Sequence, residues 1–107
     1  MTPRRIVPRQ KAEQDIEEAI DHYFGEGGAD LSLQFVDALE AALDHLAAYA
    51  ESGSPRYAAE LDLPGLRHWP LKKFPYLIFY VVNPGVVDVW RVLHGKRDIP
   101  ETMQDEQ

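Results

Sequence analysis

YLIFYVVNPGVVDVWRVL, Tyr76 to Leu93, decides the fold. Its two halves are rich in Val, Ile, Tyr, Phe and Trp, the side chains that pack well on a pleated surface. Asn83-Pro84-Gly85 between them is a turn of the kind that joins antiparallel strands. The spacing predicts strands at Tyr76 to Asn83 and Val86 to Leu93, and Leu66 to Leu71 upstream reads as a third, so the three form a meander. Alternation puts Arg67 with Trp69, Tyr76 with Tyr80, and Arg91 with Val89 and Leu93. Tyr76 and Tyr80 read as core-lining, and Trp69 and Trp90 as packing residues rather than ligand platforms.

Toward the N-terminus the period changes. Ala12, Ile16, Ala19, Ile20, Tyr23 and Phe24 recur at helical spacing, with Glu13, Glu17, Glu18 and Asp21 on the opposite side. Gly25 and the Gly27-Gly28 pair end that helix. A second helix runs from Ala29 to Ser52, with Asp30 near its start, and is closed by Gly53 and Pro55. Its apolar face holds Leu31, Phe35, Ala38, Leu39, Ala42, Leu46 and Tyr49, widened by Val36, Leu43 and Ala47, so it should touch both the first helix and the sheet. Arg5 to Pro8 reads as a short first strand cut off by Pro8. The fold class is therefore α+β: a two-helix hairpin packed on one face of a small, mainly antiparallel sheet, in the order β-α-α-β-β-β. One domain is expected over residues 1–100, followed by a polar tail, Glu101 to Gln107, that should fray.

The chain has 107 residues, 45% of them hydrophobic, which suffices for one core. It has no cysteine, which removes disulfides and thiolate chemistry. No apolar run approaches the roughly 20 residues that span a bilayer, and the N-terminus lacks a signal-peptide pattern. A soluble, cytoplasmic protein is expected. The net charge of −7 argues against indiscriminate nucleic-acid binding, but the charge is divided. Residues 10–64 hold 13 acids against Lys11 and Arg56, whereas residues 65–100 set Arg67, Lys72, Lys73, Arg91, Lys96 and Arg97 against Asp88 and Asp98.

The densest chemistry lies in RVLHGKRDIP, Arg91 to Pro100. Cleavage of RNA through its 2′-hydroxyl would need a base, a cation for the developing charge and an acid for the leaving oxygen. His94, Arg97, Lys72 and Arg91 include those residue types. The bland reading is that His94 caps the strand end and Arg97 pairs with Asp98 or a helix acid. The four histidines, at 22, 45, 68 and 94, are too scattered for a metal site, and no phosphate-binding glycine loop follows a strand. No cofactor is expected.

The order of elements and several strings resemble the RelE/ParE superfamily of toxins from type II toxin-antitoxin systems, and more closely its ParE branch. The strings are AEQDIEEAIDHYF (Ala12 to Phe24), FVDALEAALDHLAAYAESGSP (Phe35 to Pro55), PGLRHWPL (Pro64 to Leu71), FPYLIFYVV (Phe74 to Val82) and RVLHGKRDIP. The resemblance implies a helical hairpin on a small sheet and a cognate antitoxin in a hetero-oligomer. It also implies either of two activities, poisoning of DNA gyrase or cleavage of mRNA on the ribosome. Nuclease members usually carry an Arg in the strand matching YLIFYVV, and often an aromatic residue or His near the C-terminus. Here that strand holds no cation and no aromatic follows Trp90. The gyrase branch is therefore favoured, with Arg67, Lys72, Lys73, Arg91, His94, Lys96 and Arg97 as a target-binding surface. The alternative is a ribosome-dependent mRNA interferase using His94, Arg97, Lys72 and Arg91. A second alternative is a non-toxic relative that only holds its antitoxin as a co-repressor. An exposed sheet edge beside the apolar helical face is expected to let the antitoxin add a strand or lay down a helix.

Overall fold

The computed structural model describes residues 2–104. Strand β1 (Arg5–Pro8) leads into a long helical segment, α1 (Gln10–Ala48), which is broken at Gly27 and Gly28. The two glycines are needed there for different reasons. Gly28 has φ +71°, which side chains other than glycine rarely adopt, and a Cβ on Gly27 would come within 2.8 Å of the Leu31 Cβ. The break separates a first arm, residues 10–26, from a second, residues 29–48, and the arms fold back so that the Tyr23 and Phe35 rings lie 5.3 Å apart. A 3-10 turn (Ala50–Ser52) and a short helix α2 (Arg56–Glu60) follow, then strands β2 (Leu66–Pro70), β3 (Tyr76–Asn83) and β4 (Val86–His94), and a last helix α3 (Ile99–Met103).

The sheet order is β1-β4-β3-β2. The meander β2-β3-β4 is antiparallel as its turns require, and β1 pairs parallel with β4, which the helical crossover permits. Ala12, Ala19, Phe35, Leu39 and Leu46 of the hairpin bury against Ile78, Tyr80, Val87, Val89 and Val92, so Phe35, Leu39, Leu46, Tyr80 and Val89 form the core where the second arm meets the sheet. On the opposite sheet face, Leu61, Leu63, Leu66, Phe79, Leu93, Ile99 and Met103 form a second core. Two layers of apolar side chains therefore sandwich the strands.

Four expectations need correction. Phe24 is 59% exposed, because Tyr23 and not its neighbour enters the aromatic cluster. Tyr49 is 65% exposed, because the helix ends at Ala48 and Tyr49 leaves helical geometry. Leu93 does not share a face with Val89: the register shifts so that Tyr80 pairs with Val89 but Phe79 with Arg91. Trp90 is the extra residue of a bulge, and such an insertion reverses the alternation beyond it. The described part of the polar tail is helical rather than irregular. Asp98 accepts the Glu101 N–H and starts α3, whose Met103 is fully buried, while residues 105–107 lie outside the described residues.

The sheet edges also differ from expectation. On β2 the outward donors are already used, His68 N–H by the Ser54 carbonyl and Leu66 N–H by the Leu63 carbonyl, and Pro70 has none to offer. The Arg5 N–H donates to the Gly85 carbonyl just before β4 and the Arg9 N–H, just after β1, to the Val89 carbonyl, so the outward positions of β1 are Ile6 and Pro8, the second again without an N–H. Both edges therefore resist the addition of a strand.

Candidate functional site

Two of the seven basic residues expected at a target surface are committed internally. Arg91 is 8% exposed, and its Nε and Nη2 each donate to a carboxylate oxygen of Asp15 at 2.8 Å. The Val92 N–H donates to the same carboxylate at 3.0 Å, so the charge is met by three donors. Arg67 donates to the Glu51 and Gly53 carbonyls at 2.9 and 2.7 Å. Beside it, the Tyr80 hydroxyl donates to the Ala50 carbonyl and accepts from the Gly53 N–H. Burial raises the pKa of that hydroxyl, with the Gly53 hydrogen bond and Arg67 acting against the rise. Arg67 and Tyr80 together pin the turn that follows the second arm.

The turn after β4 is built by backbone bonds. Gly95 N–H reaches the Pro75 carbonyl at 2.7 Å and Arg97 N–H the His94 carbonyl at 3.0 Å. The Lys96 N–H donates to His94 Nδ1 at 3.1 Å. A neutral imidazole whose Nδ1 accepts must carry its proton on Nε2, so this ring has no free lone pair for a general base. Arg97 does not pair with Asp98, which caps α3 instead. Lys72, Lys73, Lys96 and Arg97 have no side-chain hydrogen bond or ion pair among the described residues.

Three of these cations, Lys72, Lys73 and Arg97, line two different cavities. His94 and Arg97 border a polar pocket of about 200 Å³, closed by Glu18 and His22 of the first arm and by Tyr76. Burial raises the Tyr76 hydroxyl pKa, with Arg97 acting against the rise and Asp15 and Glu18 adding to it. Lys72 and Lys73 instead border a wider groove of about 610 Å³, whose apolar lining includes Ala38, Ala41, Ala42, Trp69 and Pro70, with Asp37 on its far side. Trp69 stacks on His45 there, the ring centroids 4.4 Å apart and the planes 17° from parallel. An aromatic wedge of Tyr23, Phe35, Phe74 and Tyr76 packs at this end of the core. The set His94, Arg97, Lys72 and Arg91 is therefore dispersed: two members share the pocket, one lines the groove, and Arg91 binds Asp15.

Sequence reasoning missed Glu18, His22 and above all Asp15. Asp15 was legible in principle: it lies among Ala12, Ile16 and Ala19, the apolar stripe of the first arm, where an acid must find a buried partner. Among the described residues no group of His, Asp and Glu has the geometry to hold a metal ion. None of the described helices is long and apolar enough to cross a membrane.

Residues 6–99 match the sequence profile of the family described as the ParE toxin of type II toxin-antitoxin systems, parDE. No curated protein sequence matches significantly. Among solved structures, the chain is similar to one described as a chromosomal ParDE TA system from P. aeruginosa, with 21% sequence identity and a TM-score of 0.71. The match covers 88% of this chain and 98% of that one, and it is a likeness of fold.

Proposed function

The chain belongs to the ParE toxins of type II toxin-antitoxin systems, and from that premise we propose that it inhibits DNA gyrase by binding and is neutralised by a cognate antitoxin. The observation that carries the reading is the fate of the basic residues. Arg91 and Arg67 are used inside the fold, the His94 lone pair is taken by the Lys96 N–H, and Lys72 lines a cavity apart from Arg97. What remains at the turn is a pair of free cations, Lys96 and Arg97, without an assembled acid-base set. Such an edge supports association with a target more than cleavage of a phosphodiester, which needs a positioned base.

The antitoxin reading rests on the groove. With the β2 edge covered and β1 short and ended by Pro8, the lining of Ala38, Ala41, Ala42, Trp69 and Pro70 is an apolar surface open to a partner segment, and Lys72 and Lys73 favour acidic residues flanking it. The test is supercoiling by purified gyrase with increasing amounts of the chain, then with the product of a flanking gene added. Inhibition that the second protein relieves is the expected result. Unimpaired supercoiling at micromolar toxin would remove the gyrase assignment.

A further inference from the structure

The pocket beside Arg97 holds hydrogen-bond donors without partners among the described residues. The Arg97 guanidinium is unpaired among the described residues, and the Tyr76 hydroxyl makes no hydrogen bond there. His94, with Nδ1 occupied, offers only an N–H from Nε2. The carboxylate of Asp15 on the inner wall is already neutralised by Arg91 and the Val92 N–H. A cavity of about 200 Å³ that presents a guanidinium fork, a phenol and an imidazole N–H is built to receive acceptor oxygens.

The charge around the mouth limits which oxygens. Glu18 lines the pocket, whereas Glu13, Glu17 and Asp21 stand exposed on other faces of the same arm. The Glu18 charge at the mouth penalises a dianion or a polyanionic strand more than a single negative charge. The small volume admits one side-chain head and little more.

We infer that this pocket receives one carboxylate side chain of a protein target, held by the Arg97 fork with Tyr76 and His94 as flanking donors. The inference rests on the reading that the turn after β4 meets the target, and it extends that reading by naming the group recognised. Lys72 and Lys73, which border the groove, take no part.

The test uses the full chain labelled with ¹⁵N, titrated at pH 7 and constant ionic strength with acetate and, separately, with inorganic phosphate. Acetate should shift the amide signals of Leu93, Lys96 and Arg97 saturably. Arg97→Ala should weaken that binding roughly tenfold or more, and Tyr76→Phe, which keeps the ring packing, should weaken it less. Lys72→Ala should leave it unchanged. Absence of a saturable shift, or equal binding by Arg97→Ala, would overturn the site. Tighter binding of phosphate than of acetate would overturn the carboxylate and point to nucleic acid. The two readings fail separately: acetate binding without gyrase inhibition removes the target, and gyrase inhibition without acetate binding removes the pocket.

Discussion

Arg91 of β4 and Asp15 of the first helical arm, 76 residues apart in sequence, are joined by two hydrogen bonds of 2.8 Å inside the protein. This contact fastens the hairpin to the sheet beside the bulge at Trp90. A residue whose type suggested a surface cation is therefore an internal strut. Breaking one side of such a pair removes the carboxylate that offsets a buried charge, so Asp15→Ala should cost about 3 to 5 kcal/mol in a denaturation series. Asp15→Leu combined with Arg91→Met should recover most of that loss. Equal stability of Asp15→Ala and wild type would show that the pair is not held as described.

Leu39 lies in the core between the second arm and the sheet. Leu39→Ala should destabilise by about 2 to 5 kcal/mol, as truncation of other buried leucines does. Equilibrium unfolding in urea measures this, and a change within error would place the helix in the wrong phase.

His68 gives the fold a pH dependence. Its ring packs with Tyr57 of α2 and Phe79 of β3, and its Nδ1 is buried without a hydrogen-bond partner among the described residues. Burial lowers its pKa, and Arg56 adds to the effect. The unfolded chain therefore binds a proton at higher pH than the folded one, from about 6.5 downward. Stability from this group is fully present above that value and declines as pH falls toward the lowered folded pKa. His68→Phe should flatten this part of the profile between about pH 7 and 5, as read by thermal melts. An unchanged slope would contradict the assignment.

Placing the antitoxin in the groove predicts that its binding can be separated from toxicity. Ala41 lines it and is exposed, so Ala41→Arg should fold normally while placing bulk and charge where an apolar segment would lie. Antitoxin affinity should fall by roughly tenfold or more, the size of a central interface disruption, and growth arrest should persist. Titration calorimetry and a plating assay give the two readouts. Full antitoxin affinity in the variant would move the antitoxin elsewhere.

His94→Gln and Arg97→Ala separate the two modes of poisoning. Glutamine keeps hydrogen bonding but cannot shuttle a proton near neutral pH, so His94→Gln should remain toxic, whereas Arg97→Ala should be attenuated through weaker target association of about 1 to 3 kcal/mol. Loss of toxicity in a folded His94→Gln variant would favour the interferase.

Much of this architecture was legible because periodicity reports burial. The apolar stripes of both arms, the strands and the glycine break all follow from local spacing, and Phe35, Leu39 and Val89 lie where that spacing puts them. What escaped depends on pairing between distant segments. The bulge at Trp90 is a property of the β3-β4 register and leaves no mark in β4 alone. Closure of the β2 edge depends on Ser54, 14 residues before His68 in the chain. The division of the cations was hidden for the same reason: Arg91 and Arg97 look alike in sequence, and only the position of Asp15 distinguishes the strut from the free fork.

The most direct measurement places the purified wild-type chain in two reactions side by side. One contains gyrase, ATP and relaxed plasmid, the other translating ribosomes and a defined mRNA. Gyrase inhibition by binding predicts loss of supercoiling with accumulation of linear DNA in the first, and intact mRNA in the second. Cut mRNA beside unimpaired supercoiling would contradict it.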